Sequence, residues 1–284
     1  MERFATSLLG ESKTLLLAID GSLFSEGAIQ EAIFFGQACR AKVIVLHVVP
    51  VQAESIGAAN FAVRQGREQL APYLDRIRAM AKDSGVELEV VVVGSSKPEN
   101  TIVEQARLRE ADVILMGRHG KAGRLALLVG SMTGKVIAQG FPRVLVAPKD
   151  FIITGTQVLL ALNDSPNSRQ AAKEALSLGR TCTTLQKITV LTVAEQEKDC
   201  EAARQLAKAV CDQAVREQLP VPCEPLVVVG KPVDRIVEVA QDRQVDMILI
   251  GSRGRRSLSK MLGGQVTEHV IGRAHCAVLV VNAA

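Results

Sequence analysis

A glycine spacing that is written twice constrains this chain more than any other feature. Gly117-Arg118-His119-Gly120 is followed by nine residues and then Gly130-Ser131. Gly251-Ser252-Arg253-Gly254 is followed by nine residues and then Gly264-Gln265. Gly117 and Gly251 lie 134 positions apart, and so do Gly130 and Gly264. Each copy follows an acidic-apolar run, Ala111-Asp112-Val113-Ile114-Leu115-Met116 or Val245-Asp246-Met247-Ile248-Leu249-Ile250. Each precedes a helix-like segment and a closing apolar run, Val144-Leu145-Val146 or Val278-Leu279-Val280-Val281. Strand, glycine loop and helix N-terminus together hold phosphate on backbone N–H groups. Two copies mean two sites, or one site and its relic.

A period of this length is a domain rather than a solenoid repeat, and 284 residues suit two domains. The expected boundaries are 1–149 and 155–284, with a linker over 148–156 that contains Pro148, Thr154 and Gly155. Near the start of each half the offset grows, since Ile19-Asp20 matches Leu162-Asn163, 143 apart. The second half has therefore lost residues, and the segment 51–85 is where the first half is longer. Strands are predicted near 15–19, 42–49, 86–93, 112–116 and 143–147, then near 157–162, 187–193, 224–229, 246–250 and 277–282. Val43-Ile44-Val45-Leu46 and Val90-Val91-Val92-Val93 are apolar throughout, as in strands covered on both faces. Strands alternating with helical segments predict an α/β class, with a parallel sheet flanked by helices in each half. Ligands of such sheets sit beyond the carboxyl ends of the strands, where strand order reverses. Both glycine loops fall at such an end.

A net charge of +4 and an aromatic content of 3% argue against nucleic acid as a partner. No apolar run approaches a membrane span, and the first thirteen residues do not read as a signal peptide. The expectation is a cytoplasmic protein. The six cysteines contain no Cys-x-x-Cys pair, and Cys39 and Cys182 end the first helix of each half, which reads as packing. Scattered reduced, structural thiols are the main expectation, with redox sensing the alternative.

Asp20 closes the first strand. It can meet a ribose hydroxyl or base amine, or it can cap the following turn, because Asp and Ser are both favoured there. The glycine loop in the same half favours the ligand. Gly117, Gly120 and Gly130 permit close backbone approach. Ser131 opens a helix whose first-turn N–H groups face the same anion as its hydroxyl, unless it is simply an N-cap on a surface loop. Two other phosphate motifs are missing. Gly130-Ser131-Met132-Thr133-Gly134-Lys135 has only three residues between its glycines, and Gly117, Gly120 and Gly123 are spaced by three throughout. His47, His119, His269 and His275 match no metal spacing, and His47 reads as a packed strand residue.

With these residues in view, the chain resembles a tandem universal stress protein. Ala18-Ile19-Asp20-Gly21-Ser22, Val45-Leu46-His47-Val48, Val93-Gly94 through Pro98, Met116 to Gly120 and Gly130-Ser131 carry the resemblance in the first half. Val190-Leu191-Thr192-Val193, Val229-Gly230-Lys231-Pro232, Ile250 to Gly254 and Ala277 to Val281 carry it in the second. The resemblance implies two open five-stranded parallel sheets of the adenine nucleotide alpha hydrolase-like, Rossmann-like kind. It also implies ATP, with or without Mg²⁺, as ligand. By position, Asp20 meets ribose or adenine, and the Val48 backbone lies against the adenine. Gly117, Gly120, Gly130 and Ser131 hold ribose and phosphates, and Met116 and Met132 complete the nucleotide-binding set. A weaker second site comprises Asn163, Val193, Gly251, Gly254, Gly264 and Gln265. It departs from the pattern at Asn163 and Gln265, with Asp164 one position late and Arg253, Arg255 and Arg256 nearby. The two final strands are expected to pair the halves as an intrachain pseudo-dimer, and a homodimer is compatible with this.

The expected role is an ATP-binding stress or regulatory protein and not an enzyme. The alternatives are an interaction or dimerisation module with vestigial sites, or a slow ATP hydrolase. Adenylating relatives of the fold carry S-G-G-x-D-S after the first strand, where this chain reads Asp20-Gly21-Ser22-Leu23. No catalytic residue and no metal ligand is assigned.

Overall fold

The computed structural model describes residues 9, 12–52, 56–118, 130–252 and 266–283. The described residues from 12 to 150 form one compact unit and those from 151 to 283 a second. The first unit runs β1 (Thr14–Ile19), α1 (Glu26–Cys39), β2 (Lys42–Pro50), α2 (Ile56–Asp83), β3 (Leu88–Ser95), α3 (Pro98–Leu108), β4 (Val113–Gly117), α4 (Ser131–Ala138) and β5 (Arg143–Ala147). All five strands are parallel, in the order β3-β2-β1-β4-β5. The second unit runs β6 (Gln157–Ala161), α5 (Pro166–Thr181), β7 (Lys187–Ala194), α6 (Cys200–Arg216), β8 (Cys223–Val229), α7 (Pro232–Asp242), β9 (Met247–Gly251), α8 (Val266–Arg273) and β10 (Ala277–Val281). Its strands are parallel too, in the order β8-β7-β6-β9-β10. The α/β class read from the sequence is therefore found in both units. The length difference between the halves sits where expected, since α2 has 28 residues and its counterpart α6 has 17.

The uninterrupted apolar runs become central strands because helices cover both faces of each sheet. Leu15, Leu16, Leu17, Val43, Val45, Val113 and Ile114 are fully buried in the first unit. Val158, Leu159, Leu160, Ile248 and Leu249 are buried likewise in the second. Among the described residues, no helix is long and apolar enough to cross a membrane.

Each unit also repeats two polar devices at the amino ends of its strands. Asp112, just before β4, accepts hydrogen bonds from the backbone N–H groups of Lys13 (2.7 Å) and Thr14 (3.0 Å) and so ties β4 to the start of β1. Asp246, just before β9, does this more fully. It accepts from the N–H groups of Thr154 (3.0 Å), Thr156 (2.8 Å) and Gln157 (2.8 Å) and from both threonine hydroxyls. The second device is a charge cluster: Glu89 meets Lys42 and Arg109, and Glu224 meets Lys187 and Arg243. Hydrogen bonds from Arg243 and then Lys187 pull the Glu224 carboxyl down to about 2. Both devices lie at the opposite end of the strands from the glycine loops, which assigns them to the scaffold.

Candidate functional site

In the first unit, β1 connects to β2 and β3 on one side, while β4 and β5 lie on the other. Strand order thus reverses between β1 and β4, the switch point beyond whose carboxyl ends ligands of such sheets sit. Asp20 follows β1 directly. Its Oδ1 accepts from the Ser22 N–H (2.9 Å), the Ser22 hydroxyl (2.6 Å) and the Ser25 hydroxyl (3.2 Å). Gly21 takes φ +75°, a backbone state that glycine adopts without a side-chain penalty. The Ser22 hydroxyl in turn accepts from Phe24 N–H (3.3 Å), capping the 3-10 turn that leads into α1. The capping role of Asp20 is therefore present in the structure, and it fixes the carboxylate at the strand end.

Two residues that the sequence reading did not single out support this turn. The Tyr73 hydroxyl on α2 donates to the Ser22 carbonyl (3.2 Å). Burial, with the negative charge of Glu26, pushes the phenol up, so it stays a donor at any physiological pH. Arg76, one turn later, pairs with Glu26 of α1 and stacks its guanidinium 5.2 Å from the Tyr73 ring centre. The only hints were that Tyr73 is the one tyrosine of the chain and that Arg76 follows at helical spacing. His47 on β2 is hydrogen-bonded through Nδ1 to the Ile19 carbonyl (2.9 Å), so it packs as a strand residue beside the site.

Gly117 closes β4 where nothing larger fits. A Cβ built on it would lie 2.4 Å from the Phe24 carbonyl oxygen, so the strand end presses directly on the turn that Asp20 holds. Beyond it, Arg118 N–H donates to the Ala147 carbonyl (3.1 Å) and Gly130 N–H to the Arg118 carbonyl (2.9 Å). The chain thus leaves and returns at one neck. Gly130 is the N-cap of α4, with no side-chain cap bond, and Ser131 is the exposed first helical residue rather than the cap. The first-turn N–H groups of such a helix have no partner within it. Thr133 fixes the orientation of α4, because its buried hydroxyl donates to the Gly117 carbonyl (3.0 Å). Val48 and Met116 are buried on β2 and β4, and Met132 is half-buried. Strand register sets Ile19 beside His47 and Ala18 beside Met116. Asp20, Val48, Met116, Gly117, Gly130, Ser131 and Met132 therefore gather around the carboxyl ends of β1, β2 and β4. Gly120 lies outside the described residues, as does His119.

The second unit repeats part of this plan. Asn163 Oδ1 accepts from Ser165 N–H (3.1 Å), the contact that Asp20 makes with Ser22. Asn163 is thus the counterpart of Asp20, while exposed Asp164 is paired with Arg169. A Cβ on Gly251 would fall 2.5 Å from Ser168 N, and the Thr267 hydroxyl donates to the Gly251 carbonyl (3.1 Å). Val193 is half-buried on β7. Behind Gly251 the unit differs from the first. Asn167 Nδ2 donates to Ser252 O (2.7 Å) and Oγ (2.9 Å), its Oδ1 accepts from Ala283 N–H (2.8 Å), and Ser252 Oγ meets Asn282 Oδ1. Phe24, Arg118 and Pro148 stand at the corresponding places in the first unit. Gly254, Gly264, Gln265 and the arginines at 253, 255 and 256 lie outside the described residues. The threonine tie escaped the sequence reading in both halves, although Gly130-Ser131-Met132-Thr133 and Gly264-Gln265-Val266-Thr267 carry it at the same offset.

The model of the universal stress protein family matches residues 11–148 and 156–282. A universal stress protein of Methanocaldococcus jannaschii is 30% identical over 141 residues, covering 48% of this chain and 82% of that protein. One from Synechocystis sp. is 23% identical and covers 94% of this chain and 99% of its own. Among solved structures, a universal stress protein from Archaeoglobus fulgidus shares the fold with a TM-score of 0.76 at 20% identity, covering 95% of this chain and 98% of that one. With both glycine patterns falling inside the matched segments, the chain belongs to the universal stress protein family as a tandem of two such domains.

Proposed function

We propose that the first unit binds ATP, or a close adenine nucleotide, at the carboxyl ends of β1, β2 and β4, in a stress-response or regulatory role. One observation carries this reading: the end of β4 at Gly117 and the uncapped start of α4 at Gly130 meet at the switch point, tied together by the Thr133 hydroxyl. There a helix N-terminus and its N–H groups favour negative charge. Ser131 adds a hydroxyl donor for phosphate. Asp20 supplies a carboxylate for ribose or base, and Val48 and Met116 supply apolar surface. Any Mg²⁺ would arrive with the phosphates, since that ion keeps most of its water and few protein ligands.

Regulation is favoured over catalysis because Asp20 Oδ1 already accepts three hydrogen bonds. Those bonds commit this oxygen to holding the turn that follows β1. ATP turnover is therefore expected to stay below about 1 per second, the low end of ordinary enzymes. A faster rate that is lost on a single substitution near Asp20 would make hydrolysis the function instead.

Calorimetric titration of the full chain tests the site. Asp20→Ala and Ser131→Ala should each weaken ATP ~10- to 150-fold, because hydrogen bonds to charged groups are worth about 1.5–3 kcal/mol. Ser131→Ala is the cleaner variant, as Asp20 also holds the turn. The parent should bind one nucleotide tightly per chain, in the unit that has Asp20 rather than Asn163. Unchanged affinity in both variants would remove the assignment.

A further inference from the structure

Cys211, near the end of α6, and Cys223, the first residue of β8, bring their sulfurs to 3.2 Å from each other. Nothing in their spacing marks them as a pair, and the expectation of scattered structural thiols does not describe these two. Both belong to the second unit, and β8 is the outer strand on that side of its sheet, bonded to β7 alone among the unit's strands. Cys211 is buried and Cys223 is half-buried, so Cys223 is the more accessible residue of the pair. The remaining approach, to the ~2.05 Å of a disulfide, is about 1 Å, within side-chain rotation across a helix–strand contact.

We infer that Cys211 and Cys223 form a redox site, oxidised to an internal disulfide by low-molecular-weight disulfides of the glutathione class. The order of events follows from their surroundings. The Cys211 thiol donates to Cys223, which holds the Cys223 thiol below its usual range, while that same contact and then burial push the Cys211 thiol up. Cys223 is therefore the attacking thiolate and Cys211 the resolving thiol. Cys223 attacks one sulfur of glutathione disulfide, that S–S bond breaks, and one glutathione leaves as thiolate. The departing thiolate takes the Cys211 proton. Cys211 sulfur then attacks Cys223 sulfur and releases the second glutathione. The second glutathione leaves as thiolate and takes from solvent the proton that Cys223 released on ionising, so overall the protein loses two electrons and two protons and glutathione disulfide becomes two glutathione thiols. The product pins α6 to the outer strand β8, and excess reduced glutathione reverses it.

The full-length reduced protein is equilibrated with oxidised glutathione, its remaining thiols are alkylated, and its peptides are mapped by mass. The expected result is a single cross-link between the peptides holding Cys211 and Cys223. Alkylation should be lost at both, and a dithiol reductant should restore it. In Cys211→Ser the reaction should stop at a glutathione adduct on Cys223. Two results would overturn the proposal: alkylation of both residues after equilibration, or a parent protein that keeps glutathione on Cys223 without the internal bond. Should Cys211→Ser fail to fold, mapping of the parent still decides.

Discussion

Replacing Asp246 with alanine is expected to destabilise the second unit by about 3 kcal/mol. Its carboxylate accepts three backbone N–H groups and two hydroxyls from residues 154, 156 and 157, so removing it strands several donors at once. These contacts hold the entry into β6 against the start of β9, the two central strands of that sheet. Amide exchange in β6 and β9 reads this locally, without assuming that the two units unfold together. The effect has a pH signature. Burial alone would raise the Asp246 carboxyl, but the bonds from Thr154, Gln157 and Thr156 outweigh it and hold the group below its ordinary value. A depressed folded-state value gives stability that is complete above the unfolded carboxylate range, near pH 4, and is lost as pH falls through the folded value. Asp246→Ala should therefore flatten the acid limb of the stability curve. Exchange within about 0.5 kcal/mol of the parent would show that water replaces the carboxylate at no cost.

Gly117→Ala should cost both stability and ligand. Its Cβ would meet the Phe24 carbonyl oxygen at 2.4 Å and the Phe24 carbonyl carbon at 3.1 Å, and backbone yields less readily than a side-chain tip. Overpacking of this kind costs about 1–3 kcal/mol. The relaxation must displace the turn held by Asp20, the end of β4, or both, so several nucleotide contacts shift together. Affinity for ATP should fall more than ~100-fold, equivalent to about 2.8 kcal/mol. Gly251→Ala is the internal control. It meets Ser168 N at 2.5 Å and Asn167 C at 2.6 Å and should lose similar stability, yet leave the first unit's ligand untouched. Equal affinity in the parent and Gly117→Ala, by titration, would place the nucleotide elsewhere.

The strands were legible because parallel strands covered on both faces must be apolar without alternation, and few other elements produce such runs. Their limits moved by one or two residues for traceable reasons. β3 was expected over 86–93 but spans Leu88–Ser95, because its register with β2 carries pairing on to Pro50 and Ser95. β4 begins at Val113 rather than 112, because the Asp112 side chain is used to bind Lys13 and Thr14. At the candidate site, the turn at Asp20 was legible since its bonds to Ser22 and Ser25 are local in sequence. Tyr73, Thr133 and Thr267 act on partners 51, 16 and 16 positions away, and the Asp246 bonds span about ninety. A single sequence carries no mark of such pairings. The Cys211–Cys223 contact was hidden for the same reason: a helix and a strand bring them together without a motif.

The neck between Arg118 and Gly130 has a consequence for how this family can diversify. Arg118 and Gly130, with eleven residues between them in the sequence, are joined by one backbone hydrogen bond, and Thr133 anchors the helix that follows. The entropy of closing such a loop grows only with the logarithm of its length, so even a doubling costs about 0.6 kcal/mol. Insertions there leave the strands and the helix start in register. What the neck fixes is its own two ends: the close of β4 and the start of α4 stay joined whatever number of residues separates Arg118 from Gly130.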